Sequence, residues 1–390
     1  MSAALPSTGP STGPSTGPST GPSAGPATGP AAGPATPSGF VRTPEKGLGR
    51  LHWADGSWVV DGQPPDVPGL RPLRGLEIEW PAADVPLDGL LSLAAAGIPL
   101  TAERARPWVP AGLTELLTDR DWLRHAADGT ARSLADLRRE EHSVRLRRLA
   151  HPVTIHPKIS IVMSSKRSIL IGAALAQMER QREVEAEVLL GLHGVGFEQV
   201  REAVESCSLP VKWIEAEASV PFGEVLNRTA ALASGDHLAK WDDDDWYGPR
   251  HLADLFMAMS YTGADVVGTT AEFFYLEPLK ATIRRTTFAS GARYPSEVWS
   301  DHVAGGTIMV SRSKLKEIGG FPAVPRAVDL EFLKAAQKAG ARIYRTHGLG
   351  YVLRRGLTAD HTWQLPLAHF LKVAANQWRG FRPSLLMEAA

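Results

Sequence analysis

From Lys158 onward, short unbroken apolar runs alternate with stretches that are apolar only at every third or fourth position. KISIVM is continuous and ends in the polar Ser164-Ser165-Lys166-Arg167, after which Ile171, Leu175 and Met178 recur at helical spacing. VEAEVLLGLHG, Val211–Ala216 and His237–Trp241 repeat the strand pattern, and Glu198–Glu205 and Phe222–Ala233 the helical one. Strands and helices in strict alternation predict an α/β domain on a largely parallel sheet.

Upstream the pattern is different. LHWADGSWVVDG reads as a hairpin with Trp53 and Trp58 flanking an Asp55-Gly56 turn. Short helices are expected over Asp88–Ala96, Ala111–Thr118 and Asp121–Ala127, and a longer one over Ser133–Leu149. That helix carries RREEHSVRLRR, in which Glu140 and Glu141 are spaced to pair with Arg145, and Leu134, Leu137 and Val144 form a thin apolar stripe. It reads as a charged helix packing one face on the next domain, with docking to a membrane surface or partner as the alternative. Residues 6–38 are a decaying PSTG repeat without large apolar side chains, which predicts a disordered tail. The expected division is a tail over 1–45, a small mainly helical accessory module over 46–150, the α/β domain over 151–364, and a C-terminal helix and tail over 365–390.

Composition narrows the function classes. Lys plus Arg equals Asp plus Glu at 42 each in 390 residues, so no global field favours nucleic acid or an anionic membrane. The single cysteine, Cys207, excludes an internal disulfide framework. No apolar run has the length of a membrane span, and the start lacks a signal-peptide pattern. A soluble, cytoplasmic protein with at most peripheral membrane contact is expected.

Local charge is more informative. LAKWDDDDWYGP sets four consecutive aspartates between a buried strand and aromatic residues. In open α/β sheets ligands bind at the carboxyl ends of the strands, which is where this run falls. Crowded, half-buried carboxylates repel one another, and a hard cation relieves that. If the strand geometry continues, Asp242 and Asp244 face the same side and Asp243 points elsewhere, with Asp245 beginning the turn before Pro249.

At this point the sequence resembles the family 2 glycosyltransferases of the GT-A fold, over roughly residues 158–363. ISIVMSSKR stands at that family's first strand and turn. LNRTAALASGDHLAKWDDDD matches its asparagine, helix and Asp-x-Asp succession, and GGTIMVSRSKLKEIGGF its later strand and Gly-Gly-Phe segment. The resemblance implies a Rossmann-like mixed-sheet domain that takes a nucleotide-sugar donor with Mn2+ or Mg2+ and transfers the sugar, with inversion, to an acceptor hydroxyl. It implies Asp242, Asp244 and a late histidine, His361, as metal ligands. Ser164, Lys166, Arg167, His193, Asn227, Asp242 and Asp243 fall at donor-binding positions. The family's catalytic aspartate falls on Asp329, with Glu331 as the alternative base and the N-cap of a helix over Leu330–Ala339 as the bland reading of Asp329.

Two departures accompany the match. Val328 stands where the family has a glutamate, and Leu192-His193-Gly194-Val195 lacks its base-reading aspartate. These keep open a degenerate GT-A domain that binds sugar or nucleotide without catalysis. A nucleotidyltransferase is disfavoured because SSKRS has no glycine to wrap a triphosphate. The acceptor is left as a glycan, lipid-linked sugar, peptide or metabolite.

Overall fold

The strand Lys158–Ser165 is buried along all but its first residue and lies inside an eight-stranded sheet. It pairs in parallel with Glu185–His193 on one side and His237–Trp241 on the other. Across the sheet the order is Val298–Trp299, Ile343–Thr346, Val266–Thr269, Met309–Ser311, His237–Trp241, Lys158–Ser165, Glu185–His193, Val211–Ala216. Met309–Ser311 and Val298–Trp299 run antiparallel to their neighbours, which makes the sheet mixed. This is the α/β architecture the alternating pattern predicts, with a mixed sheet as the resemblance implies, and it places Trp241 at a carboxyl end of the sheet. The structure is a computed structural model and describes residues 35–124, 132–152, 156–288, 290–356 and 366–388.

A five-stranded sheet abuts the first, in the order Ala374–Arg379, Ala281–Arg285, Phe273–Leu276, Tyr351–Arg355, Trp246–Tyr247. Trp246–Tyr247 therefore leaves the aspartate run directly into a second sheet. The C-terminal segment contributes the helix Leu367–Lys372 and then the edge strand Ala374–Arg379, where a helix and tail are expected. The strand is poorly marked in sequence because its residues are only half buried.

The module before the large domain carries a four-stranded sheet alongside its helices, in the order Ser57–Val60, Lys46–Ala54, Leu73–Glu79, Leu100–Thr101. Its hairpin turns at Asp55-Gly56, both with positive φ, and sets Trp53 opposite Trp58. Residues 34–390 make one compact unit, so this module and the large sheet are packed together. The tail expected over 1–45 lies outside the described residues up to 34. Its last stretch, residues 35–45, is packed: Phe40 is buried, and Arg71 donates to the carbonyls of Thr36 and Ser38.

The joint is the helix Arg132–Ala150, whose charged residues are mostly buried. Glu140 pairs with Arg42 and Arg284, not with Arg145, which lies 3.6 Å from Asp119. Burial pushes the Glu140 carboxyl up, but Arg42 and Arg284 outweigh it and hold it at about 2. Glu141 accepts from Ser384 Oγ and the Leu385 backbone, both at 2.8 Å. Arg148 grips Asp254 with two nitrogens, at 2.9 and 2.8 Å. Arg147 and Glu297 form an ion pair in which both side chains are fully buried. Arg139 donates to the carbonyls of Val41, Leu73 and Arg74. A face rich in charge reads as solvated in sequence; here Arg42 and the second domain supply counter-charges, and the C-terminal segment hydrogen-bond donors, that permit its burial.

Arg147→Met should destabilise the protein by about 3–5 kcal/mol in urea titrations, because it strands Glu297 without its cation. Arg147→Met combined with Glu297→Gln should regain most of that loss, since the amide oxygen can accept from Tyr261 and Tyr344 while its nitrogen donates to the Thr346 hydroxyl.

Candidate functional site

The strand His237–Trp241 ends at Trp241, and the aspartates follow in a turn. The side-to-side alternation expected of Asp242 to Asp244 therefore does not apply: neighbours Asp243 and Asp244 face one guanidinium. Arg167 Nε lies 3.2 Å from Asp243 Oδ2, and its Nη1 lies 3.1 Å from Asp244 Oδ2. Ser165 Oγ also donates to Asp243. Burial pushes the Asp243 carboxyl up, against the pull of Arg167.

Asp242 turns the other way. Its Oδ1 lies 2.6 Å from Nζ of Lys240, a lysine buried within the same strand. The same ammonium lies 3.2 Å from Asp329 Oδ1. Beneath them run Gly305 and Gly306: a Cβ on Gly305 would meet Asp329 Oδ2 at 2.1 Å, and one on Gly306 would meet Asp242 Oδ2 at 2.6 Å. Tyr247 fastens this floor, accepting from the Asp242 backbone N–H and donating to the Gly306 carbonyl, both at 2.9 Å. Its ring stacks on Trp241 at 3.7 Å between centroids. The aromatic brackets of the run are thus the support on which the acids stand.

Asp329 is not a helix cap. The helix begins at Val328, with Ala327 as N-cap in a left-handed conformation at φ 57°. Asp329 therefore lies in the first turn, where the helix dipole favours a carboxylate. Burial pushes its carboxyl up, with Lys240 opposing and Asp242 adding to the rise. Val328, where the resemblance has a glutamate, is buried in the apolar core with Phe332 and Leu333. Glu331 pairs with Lys334 at 2.7 Å on the outer surface and is not part of the cluster.

The remaining expected residues divide. Ser164 is buried and its Oγ meets no hydrogen-bond partner. His193 is buried beside Phe222, neither ring nitrogen is at hydrogen-bond geometry, and burial lowers its pKa. Lys166 is exposed, 3.4 Å from the Ala218 carbonyl. Asn227 spends both amide groups on Phe321, donating to its carbonyl and accepting from its N–H at 2.7 Å each, and so holds the Gly-Gly-Phe turn. His361 lies outside the described residues. Beyond those expected residues, His347 is buried 3.5 Å from Asp254, and Arg354 and Arg355 reach Glu277 and Asp245. Lys240 escaped the sequence reading; its signal is a charge set inside the apolar strand HLAKW.

Among the described residues, no group of three or more His, Cys, Asp or Glu side chains is arranged to hold a metal. The hard oxygens of Asp242 and Asp244 suit Mg2+ or Mn2+, which commonly takes one or two carboxylates and completes its shell with substrate phosphates. The oxygen chemistry fits on those terms, but Asp242 faces Lys240 and Asp244 faces Arg167, so a cation would compete with both side chains.

A relative in Bacillus subtilis (strain 168), the uncharacterized glycosyltransferase YwdF, is 32% identical over 189 residues, covering 46% of this chain and 68% of its own. The chain belongs to the glycosyltransferases. No family model matches it. Among solved structures, this glycosyltransferase is similar to the mannosyltransferase PcManGT from Pyrobaculum calidifontis in complex with GDP-Man and Mn2+. The TM-score is 0.42 at 18% identity, over 54% of this chain and 60% of that one. It is also similar to S. aureus TarS 1–349 in complex with UDP-GlcNAc, at a TM-score of 0.41 and 17% identity, over 55% and 64% of the two chains. The chain thus spans less than two thirds of either solved structure. No helix among the described residues is long and apolar enough to cross a membrane.

Asp245 closes the run. It is fully buried, accepts from Tyr351 and from the Arg354 backbone, and burial pushes its carboxyl up to about 7. The unfolded chain releases that proton near pH ~3.9. The stability contributed by the folded-state proton is therefore complete below about pH 4 and is lost as pH rises through about 7. In thermal melts from pH 4 to 8, Asp245→Asn should flatten that part of the decline.

Proposed function

We propose that this glycosyltransferase moves a sugar from a nucleotide-sugar donor to an acceptor hydroxyl with inversion, using a divalent cation. The observation that carries the reading is the convergence of Asp242 and Asp329, from separate segments, on one buried ammonium beside the Gly305-Gly306 floor. One carboxylate at the strand end faces the donor, and the other, across the floor, accepts the acceptor proton. Transfer needs such a division of labour, and a simple binding module does not.

In this reading the acceptor oxygen attacks the anomeric carbon while its proton passes to Asp329. The anomeric C–O bond to the diphosphate breaks, and its electron pair leaves with the nucleoside diphosphate. The rise in Asp329's pKa strengthens it as a base. Arg167 and Lys166 are the cationic groups available to the diphosphate, and Ser164 and His193 carry polar atoms without protein partners that suit the nucleoside. Asp243 holds Arg167 in place, and Asn227 acts through the turn it fastens. Asp242 and Asp244 would hold the cation, which when bound neutralises charge on the departing diphosphate.

Asp329→Asn should lower transfer about a hundredfold or more while leaving donor affinity nearly intact, the usual worth of a positioned base. Near-normal turnover would remove Asp329 from the reaction and assign the base role elsewhere, whereas a wild-type protein without turnover would favour a binding module. Asp244→Asn should abolish the enhancement of UDP or GDP binding by Mn2+, followed by calorimetry and by the Mn2+ spin-resonance signal. Enhancement that survives would place the cation elsewhere.

A further inference from the structure

We infer that Lys240 is a positioning residue for the proposed reaction, setting the relative placement of the donor-side and acceptor-side carboxylates; the inference rests on the transferase reading above. Lys240 is held at both ends. Its backbone N–H donates to the Ile308 carbonyl at 2.8 Å, its residue pairs in register with Val162, and its side chain is 2% exposed. The ammonium therefore has little freedom, and it touches one oxygen each of Asp242 and Asp329, at 2.6 and 3.2 Å. The second oxygen of each acid lies against a glycine that admits no side chain. Each carboxylate is thus fixed by the lysine on one oxygen and by bare backbone at the other.

Two carboxylates brought this close repel unless a cation stands between them. Apart from Lys240, no cationic side chain among the described residues is paired with Asp329. Asp329 reaches this place on the first turn of its helix, and no hydrogen bond of the helix fixes its Oδ1. Without the ammonium, the acid on the acceptor side loses what fixes its distance from the acid on the donor side. A displacement of about 1 Å in such a geometry can lower a rate about a hundredfold. Donor binding draws on other groups as well, so the loss falls on kcat more than on KM.

The experiment measures release of nucleoside diphosphate from UDP-GlcNAc and GDP-mannose, with water or a glycan as acceptor, for the full chain and for Lys240→Met and Lys240→Arg. Melting curves run alongside. Lys240→Met is expected to lose at least about tenfold in kcat with donor KM within about threefold, and Lys240→Arg to regain most of kcat because it restores the bridging cation. Adding Lys240→Met to Asp329→Asn should cost little beyond Asp329→Asn alone, since the lysine acts through that acid. A folded Lys240→Met with wild-type kcat, or one that changes only KM, overturns the inference and leaves the transferase reading intact. If Lys240→Met does not fold, Lys240→Arg decides: near-normal kcat supports the inference, and a folded protein with kcat lost overturns it. Wild-type protein that neither binds nor cleaves these donors overturns the parent reading and this inference with it.

Discussion

Charge neutralisation out of water is the constraint on which this architecture rests. Glu140, Glu272 and Glu297 are fully buried, and each meets an arginine from a distant segment: Arg42, Arg284 or Arg147. An isolated carboxylate in such surroundings would be prohibitively costly, so the helix Arg132–Ala150 can pack only where its partners stand. The pairing adds specificity of docking more than net stability. It fixes the first module against the large domain in one register, because any shift would leave a buried charge alone.

The same rule operates at the carboxyl end of the large sheet, in a milder form. Asp243 and Asp244 are held by Arg167, Asp242 and Asp329 by Lys240, and Asp245 by Tyr351 and the Arg354 backbone. Among the acids given a part in the proposed chemistry, Asp242 and Asp329 keep about a third of their side-chain exposure, at 33% and 36%, and Asp244 keeps 15%, whereas Asp245 is buried and structural. Adjacent identical residues thus take up different work according to the cation and the solvent each meets.

Much of this was legible in the sequence, for local reasons. Unbroken apolar runs marked the buried parallel strands, Asp55-Gly56 marked the hairpin, and His237–Trp241 was bounded by Ser234-Gly235 and the acids themselves. What escaped depended on partners far along the chain. Glu140 finds Arg284 and Glu141 finds Ser384, pairings that no helical spacing reveals, so the local alternative, Arg145, looked sufficient. Asp329 resembled a cap because a left-handed alanine is an unusual way to begin a helix. The alternation rule failed at Asp243 because a strand's geometry ends with its hydrogen bonds, here at Trp241.

The attachment of Ser384 and Leu385 to Glu141 also bears on how the chain is made. A ribosome delivers the helix Arg132–Ala150 long before residue 384 emerges, and Glu141 then lacks the donors Ser384 and Leu385 and keeps the neighbouring Arg138. Its siblings wait likewise, Glu140 for Arg284 and Arg147 for Glu297. Contacts this remote in sequence form late and slowly. The first module must therefore linger in a hydrated, unfinished form during synthesis, and closure of the whole molecule is an event that follows translation of its last strand.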